Sequence, residues 1–232
     1  MNRKINLLLL IVVLLGGCTS NSNKTELNKK EEQIVEDNIK KENQEVIEDT
    51  INLKQPIVYD NVEGGLLSKE NEFKLDTYYM LLDKDNKKVG GQMTPTYIVI
   101  HNTANSAPAI NEAKYLNSNS NTSSTSFHFA VDDTSVYQTV NLNYNSWHAG
   151  NISMNKKSIG IEIAKSTIDD ISIKDKAIEN GAKLTAMLMK HYNIPLDKVI
   201  THYDVTGKDC PHDILHRYGF NNFKDLVSFY LY

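Results

Sequence analysis

The stretch TYIVIH, Thr96 to His101, decides the fold of this chain. Its continuous apolar run is typical of a strand buried at the centre of a sheet. A second stretch, KVITH at 198–202, has the same form: a short apolar strand that finishes with a histidine. Strand ends commonly carry functional side chains. The sequence therefore predicts two strands that each deliver a histidine, His101 and His202, to the edge of one sheet.

Outward from this stretch, helical and strand patterns alternate. Helical spacing predicts helices over 107–116 and 175–191 and in the final segment FKDLVSFYLY. Alternation predicts a hairpin from SFHFAVDD and TSVYQTV, and SIGIEIA predicts a further strand. The order strand, helix, hairpin, strand, helix, strand, helix indicates an α/β fold, a mixed central β-sheet flanked by helices.

The N-terminus has the pattern of an export signal. Basic residues at 3–4 precede an apolar run from Leu7 to Leu15, which is shorter than the roughly 20 residues of a membrane-spanning helix. LGGC, ending at Cys18, resembles the lipobox of bacterial lipoproteins. We therefore interpret 1–18 as a lipoprotein signal peptide whose Cys18 is acylated. A plain signal peptide with a coincidental cysteine is the alternative.

Three further segments follow. Residues 19–56 are rich in Asn, Lys and Glu and lack aromatic residues, which predicts a charged flexible tether. Residues 57–92 carry turn signals around FKLDTYYMLL and are interpreted as an N-terminal extension that packs on the domain. Residues 93–232 form the main domain. The net charge of −4 and the spread of charges argue against a nucleic-acid partner.

The segment HYDVTGKDCPH, 202–212, is rich in metal-ligand side chains. Catalytic zinc takes three ligands from His, Cys and carboxylates and leaves one position for water. His202 and Cys210 fit, joined by a loop because Gly207 and Pro211 oppose a continuous helix. His101, at the end of the first strand, is the best third ligand. The alternative for Cys210 is an inert buried thiol.

The remaining histidines have simpler interpretations. His128, inside a hairpin strand, is expected to be packed or hydrogen-bonded rather than a ligand. His191 suits a helix C-terminus, where a cation is favoured by the helix dipole, and has no catalytic role. His212 and His216 are expected at the surface, with His212 kept as an outside candidate for the site.

Five motifs in order carry a family resemblance: MTPTYIVIHNTAN, SFHFAVDD, NSWHAGN, SIGIEIA and THYDVTGKDCPH. From about Met93 onward the chain resembles the type-2 N-acetylmuramoyl-L-alanine amidases. These share a fold with phage lysozyme-type amidases and peptidoglycan recognition proteins. The resemblance covers roughly 140 residues and implies that 93–232 is a zinc amidase catalytic domain.

The resemblance implies a role for five residues. One zinc ion, Zn²⁺, would be bound by His101, His202 and Cys210. Glu162, in the IEI strand, would be the general base, and Lys208 would stabilise the oxyanion. Phage lysozyme-type relatives have a tyrosine before the hairpin histidine, where this chain has Phe127, so proton transfer would depend on Glu162.

The bond at issue is the amide between the lactyl group of N-acetylmuramic acid and L-alanine of the stem peptide. Alternation along SIGIEIA places Glu162 on the same face as Gly160 and Ala164, whose small side chains leave room for a ligand. Trp147 and His148, in SWHAG, are expected to contact substrate, although a core position suits the tryptophan equally well. Asn102 and Thr103 would line the groove or orient the zinc ligands.

Two other functional classes stay open. A non-catalytic peptidoglycan-binding module has the same fold, and zinc content and release of stem peptides would separate it from an enzyme. A hydrolase with Cys210 as nucleophile would survive chelation. Signal, tether and resemblance together predict an exported monomer, lipid-anchored to the outer face of the cytoplasmic membrane, with peptidoglycan as its partner.

Overall fold

The computed structural model describes Gly65 and the ranges 72–165 and 170–232. The predicted signal peptide 1–18, its Cys18 and the predicted tether 19–56 lie outside the described residues and stay predictions. Among the helices of the described ranges, none is both long enough and apolar enough to cross a bilayer.

A six-stranded and a two-stranded sheet occur in the described ranges. The strands are β1 Asp76–Tyr79, β2 Val89–Gln92, β3 Tyr97–Asn102, β4 Phe129–Val131, β5 Ser135–Gln138, β6 Tyr144–Ser146, β7 Ser158–Ile163 and β8 Val199–Thr201. The larger sheet has the order β1-β5-β4-β7-β3-β8; β4 pairs with β5 antiparallel and every other neighbouring pair is parallel. Strand β2 pairs antiparallel with β6.

Helices connect the strands. They are α1 Ala109–Asn117, α2 Ile152–Asn155, α3 Ile171–Tyr192, α4 His202–Thr206 and α5 Phe220–Leu231, with a 3₁₀ turn at Leu196–Lys198 and a π-helical turn at Ile214–Tyr218. The predicted fold class, a mixed central sheet flanked by helices, is confirmed.

The central strand β3 explains the architecture. Ile98, Val99 and Ile100 are fully buried, between β7 on one side and β8 on the other. Alternate side chains enter different clusters: Ile98 and Ile100 pack in the large core with residues of α3 and α5. On the other face, Ala109 and Ala113 of α1 pack against Ala130 of β4. His101 follows Ile100 and therefore points to the α1 face.

Two helices begin earlier than predicted. Helix α3 starts at Ile171 rather than Asp175, because the Asp170 carboxylate accepts a hydrogen bond from the Ser172 N–H and caps the first turn. It ends at Tyr192 and is followed by Asn193 in the left-handed conformation, with φ 53°. Helix α5 starts at Phe220, one turn before the predicted segment.

The segment after β8 also differs from the prediction. The strand ends at Thr201, and His202 is the first residue of α4 rather than the end of a strand. The Thr201 hydroxyl and the Asp204 carboxylate form a reciprocal capping box that starts this helix. The expected loop from 202 to 210 is therefore wrong for its first five residues. Helix α4 stops at Gly207, whose φ is 77°, so no continuous helix reaches Cys210, as expected.

Part of the extension 57–92 completes the sheets. Strand β1 pairs parallel with β5, from Asp76 opposite Ser135 to Tyr79 opposite Gln138, and forms one edge of the larger sheet. Strand β2 pairs with β6. Neither pairing was predicted from the sequence.

Candidate active site

Strand register brings three candidate residues together. In the β3–β7 pairing, His101 lies opposite Glu162, so both side chains leave the same face of the sheet as neighbours. In the β3–β8 pairing, Ile100 lies opposite Thr201. His202 is the next residue along, and it therefore emerges beside His101, with ring centroids 4.7 Å apart.

The turn after α4 returns Cys210 to the same point. Gly207 takes the left-handed conformation that reverses the chain, and the Tyr203 N–H then donates to the Cys210 carbonyl at 2.8 Å. The Cys210 sulfur lies 3.7 Å from His101 Nδ1. Ligand atoms of His101, His202 and Cys210 all lie within 4.8 Å of one another, and the three residues are buried.

A hydrogen-bond chain fixes which nitrogen of His101 faces this cluster. His148 Nε2 lies 3.3 Å from the Ser158 carbonyl and 3.2 Å from the Ser158 hydroxyl oxygen, which donates its own proton to the Met154 carbonyl. We infer that His148 carries its proton on Nε2, because only acceptors face it. His148 Nδ1 then accepts from His101 Nε2–H at 3.0 Å. His101 Nδ1 is left with a free lone pair directed at the cluster.

His128 sits deeper, as a packed and hydrogen-bonded residue, in agreement with the prediction. The Gly160 N–H donates to its Nδ1 at 3.0 Å, and its Nε2 lies 3.0 Å from the Tyr144 carbonyl. Burial lowers its pKa to about 4, partly offset by that carbonyl. His128 therefore stays neutral near pH 7.

The donor set fits a zinc ion. Two side-chain nitrogen or oxygen atoms of the described residues are buried with no hydrogen-bond partner, and one is His202 Nδ1. An orphaned imidazole nitrogen is costly in a protein interior unless it has a ligand. The His202 ring lies in a group with a second imidazole that has a free lone pair and with a thiol, which is a ligand set typical of zinc.

Electrostatics keep the imidazoles in the form that binds metal. Burial lowers the pKa of His101 well below its usual value, and His148, His202 and Lys208 lower it further. Burial and the Lys208 charge lower the pKa of His202. Both rings are therefore neutral at pH 7, as metal ligation requires.

In the metal-free protein, Cys210 is held in the protonated form, which does not bind metal. Burial raises the pKa of its thiol to about 11, the Glu162 and Asp209 charges add to this, and the Asn102 N–H and Lys208 oppose it. Without a metal the thiol is protonated and is a poor nucleophile. A coordinating ion would deprotonate it.

Glu162 is poised beside the cluster without belonging to it. Its carboxylate oxygen lies 4.0 Å from His101 Nδ1, and its side chain keeps 21% of its surface exposed. Burial raises its pKa to about 8, the Glu112 charge adds to this, and Lys208 opposes it. A carboxyl group that takes up a proton near neutral pH suits general acid–base work.

The cluster lies in a cleft of about 370 Å³. Trp147 is half-buried in its wall, and Thr103 and the exposed Lys208 line the same cleft. The lining residues are His101–Asn105, Glu112, Tyr115, Leu116, Asn121, Ser123, Thr125–Phe127, Trp147, His148, Glu162, His202, Lys208 and Cys210. The cleft therefore contains every predicted ligand, catalytic and substrate-contact residue.

Asn102 and His148 touch the cleft but are held by the protein. The Asn102 amide donates to the Ile163 carbonyl at 3.0 Å and accepts from the N–H groups of Asp213 and Ile214. His148 supports His101, as described above. These contacts favour a role for both residues in orienting the predicted zinc ligands. For Asn102 this is one of the two roles expected from the sequence, the other being to line the groove.

The far wall of the cleft was not predicted. It comprises Asn105, Glu112 and Tyr115 from α1 and its approach, and Asn121, Ser123, Thr125 and Ser126 of the polar loop. Burial raises the pKa of Glu112, and a hydrogen bond from Asn105 lowers it again. In the sequence, Glu112 is a carboxylate on the polar side of a predicted helix. The same pattern is typical of a solvated surface residue, so the sequence alone does not assign it to the cleft.

Comparisons with known proteins find amidases among the relatives of this chain. XlyA of Bacillus subtilis (strain 168), an N-acetylmuramoyl-L-alanine amidase, is 45% identical over 135 residues, which are 56% of this chain and 44% of that protein. CwlA of the same organism, also an N-acetylmuramoyl-L-alanine amidase, is 48% identical over 132 residues, 55% of this chain and 47% of that protein. The chain thus spans about half the length of these curated relatives.

The fold is similar to that of a solved relative as well. The structure of the catalytic domain of XlyA superposes with a TM-score of 0.60 at 38% identity, covering 66% of this chain and 99% of that domain. Residues 91–213 match the family described as N-acetylmuramoyl-L-alanine amidase, a range that begins in β2 and ends just after Cys210. The chain belongs to the N-acetylmuramoyl-L-alanine amidase family.

Proposed function

We propose that this chain is a zinc-dependent N-acetylmuramoyl-L-alanine amidase. It hydrolyses the amide bond between the lactyl group of N-acetylmuramic acid and L-alanine of the peptidoglycan stem peptide. One observation carries the proposal: His101, His202 and Cys210 converge beside Glu162 at one end of a cleft. The family and the curated relatives support the choice of bond.

The protein's own residues account for binding and proton transfer. Zinc, held by His101, His202 and Cys210, would supply Lewis-acid polarisation of a carbonyl and of water. Glu162 accepts the proton of the attacking water and later delivers it to the leaving amine of L-alanine. In the metal-free protein burial raises the pKa of Glu162 to about 8, so the cleft favours a protonated carboxyl group, the form needed between those two steps.

Lys208 supplies positive charge at the cleft. Its charge affects the pKa of His101, His202, Glu162 and Cys210, which places it within electrostatic reach of the whole cluster. This charge would stabilise the negative oxygen that develops on the scissile carbonyl, and one well-placed donor contributes about 3 kcal/mol.

Two alternatives are less well supported. A non-catalytic binding module would not need Glu162 beside a metal cluster. A cysteine hydrolase needs a thiol whose pKa is lowered, whereas burial raises the pKa of Cys210 to about 11.

Digestion of purified peptidoglycan by the purified chain tests the proposal. We expect new ends in which the lactyl carboxyl and the L-alanine amine are free, identified by mass spectrometry, and loss of this activity on chelation. Glu162→Gln should lower the rate by about 10²–10⁴-fold while zinc stays bound. Glu72→Gln, at an exposed ion pair with Lys190, is the matched control.

The outcomes separate the three classes. Binding to peptidoglycan with no new ends would support the binding module. Cleavage that survives full removal of metal would support the thiol hydrolase. Either result would reject the zinc amidase.

We also propose that the chain is exported and lipid-anchored through Cys18 to the outer face of the cytoplasmic membrane. The basic pair, apolar run and LGGC sequence support this, and the charged segment 19–56 would act as the spacer. Cells grown with a labelled fatty acid should yield labelled protein for the wild type and none for Cys18→Ala. Label retained in that variant would reject the anchor.

A further inference from the structure

A second group of ligand-type side chains lies outside the cleft. Asp209, His212 and His216 are exposed, with 57–61% of each side chain accessible. Oxygen atoms of the Asp209 carboxylate lie 2.8 Å from His212 Nδ1 and 2.7 Å from His216 Nε2. The group therefore presents two imidazoles on a single carboxylate, and the proposed amidase chemistry uses none of the three.

The local backbone explains why the two rings face each other. Residues 212–218 form one helical run, whose later part is the π-helical turn Ile214–Tyr218. His212 and His216 are four residues apart on this run and share a face, with ring centroids 4.7 Å apart. Asp209 precedes the run, and its carboxylate contacts both rings.

We propose that Asp209, His212 and His216 form a second metal site, on the surface, for a borderline divalent ion such as Zn²⁺. Ligand atoms of the three residues lie within 4.8 Å of one another. Two imidazoles and a carboxylate suit zinc, copper or nickel, whereas magnesium and calcium prefer oxygen ligands. Histidines at i and i+4 on a helix are a known way to hold zinc.

The surrounding charges leave the group free to bind a cation. Arg217, the nearest cation on the same run, is held by Asp213 at 2.7 and 2.8 Å and by Asp175 at 2.6 Å, so it is already neutralised. Lys208, next to Asp209, lines the cleft. An ion that replaces the two bridging protons keeps all three ligands close to their present positions.

The two sites differ in access. The residues His101, His202 and Cys210 are buried, whereas the three residues of the second site are exposed. A weak chelator should therefore strip the second ion first. The second site also spans the segment on either side of Cys210, so an ion there would hold that segment to the helical run.

Metal titration of the purified full chain tests this inference. With Co²⁺ as the probe, the Cys210 site gives a near-ultraviolet thiolate-to-metal charge-transfer band, and the second site adds bound metal without that band. Metal per chain is counted by equilibrium dialysis and elemental analysis. The variants are His212→Ala, His216→Ala and the double variant, with His191→Ala, another exposed histidine, as the matched control.

We expect the wild type and His191→Ala to bind one ion that contributes the band and one that does not. The double variant should lose the second ion and keep the band, and each single variant should weaken the second ion by at least about tenfold. The thermal unfolding of each variant, compared with wild type, shows that its fold is intact.

Two results would overturn the inference. One is a wild type that binds no ion beyond the one that gives the thiolate band. The other is a double variant that binds as much band-free metal as the wild type. Absence of the thiolate band from the Co²⁺-loaded wild type would instead count against the zinc amidase. The two proposals therefore fail separately.

Discussion

At the residue scale, the orientation of one imidazole depends on a contact behind it. His148 accepts from His101 Nε2–H, and this leaves His101 Nδ1 facing Cys210. The ring of His148 reaches that position because residue 160 has no side chain. A Cβ atom at Gly160 would lie 2.5 Å from His148 Cγ and 2.7 Å from its Nδ1.

Gly160→Ala is therefore expected to displace His148 and weaken metal binding. Loss of the hydrogen bond from His101 to His148 should lower zinc affinity by about tenfold or more. Overpacking at residue 160 should lower the free energy of unfolding by about 1–3 kcal/mol. Isothermal titration with zinc and thermal unfolding measure the two effects. Gly91→Ala is the matched control because a Cβ atom there meets nothing within 4 Å. Equal zinc affinity in both variants would contradict the role of His148.

Sequence patterns predicted several positions at this scale and missed others. Alternation along β7 placed Glu162 on the face opposite Ile161 and Ile163, and its register with His101 agrees. The contact between His148 and His101 joins residues 47 positions apart. No local pattern specifies such a contact, because it depends on how β6 and β7 pack.

At the element scale, one carboxylate joins the two largest helices. Glu179 of α3 accepts from Lys183, from Lys176 and from the Tyr230 hydroxyl of α5, at 2.6, 2.9 and 2.7 Å. Burial alone would raise its pKa, but these hydrogen bonds outweigh burial and bring the pKa down to about 2.

The lowered pKa predicts how stability depends on pH. A depressed carboxylate pKa stabilises the fold fully above its usual value of 4.5, and this contribution disappears as pH falls towards 2. After allowance for solvent screening, it should amount to about 1 kcal/mol. Denaturant unfolding of wild type and Glu179→Gln should differ by this amount at pH 6 and converge near pH 2.

Glu72→Gln serves as the control for loss of one negative charge. It removes an exposed ion pair with Lys190 and none of the contacts between α3 and α5. A Glu179→Gln variant as stable as wild type at pH 6, or a difference that grows on acidification, would contradict the role given to Glu179.

Helix boundaries show where sequence patterns stop being informative. The apolar face of α3 was visible in the sequence, but its first turn depends on the Asp170 cap. Helix α4 has five residues and no apolar face, so periodicity cannot detect it. Its capping residues, Thr201 and Asp204, were a signal in the sequence that pointed to a helix rather than a loop.

At the scale of the whole molecule, the sheet follows from the sequence more readily than the cleft does. Long apolar strands such as β3 and β7 have patterns that only a buried position explains. The edge strand β1 and the pair β2–β6 have four or fewer residues each, and two glycines lie in β2. Their pairing is decided by tertiary packing.

We expect the buried cluster to make global stability depend on metal. His202 Nδ1 is an orphaned donor or acceptor in the folded state and is free to hydrogen-bond with water when the chain unfolds. Zinc bound to the native state alone should add about 4 kcal/mol at a thousandfold excess over Kd. We expect chelation to lower the melting temperature of the wild type by clearly more than that of Cys210→Ser, measured by calorimetry. An equal response in both proteins would contradict a stabilising ion at this cluster.

The most direct test of the central claim is a crystal of the zinc-loaded chain, with anomalous diffraction measured on both sides of the zinc absorption edge. The account predicts an anomalous peak about 2.0–2.3 Å from His101 Nδ1, His202 Nδ1 and Cys210 Sγ. Glu162 should lie nearby without ligating it. Full zinc loading with no peak among these three atoms would contradict the account.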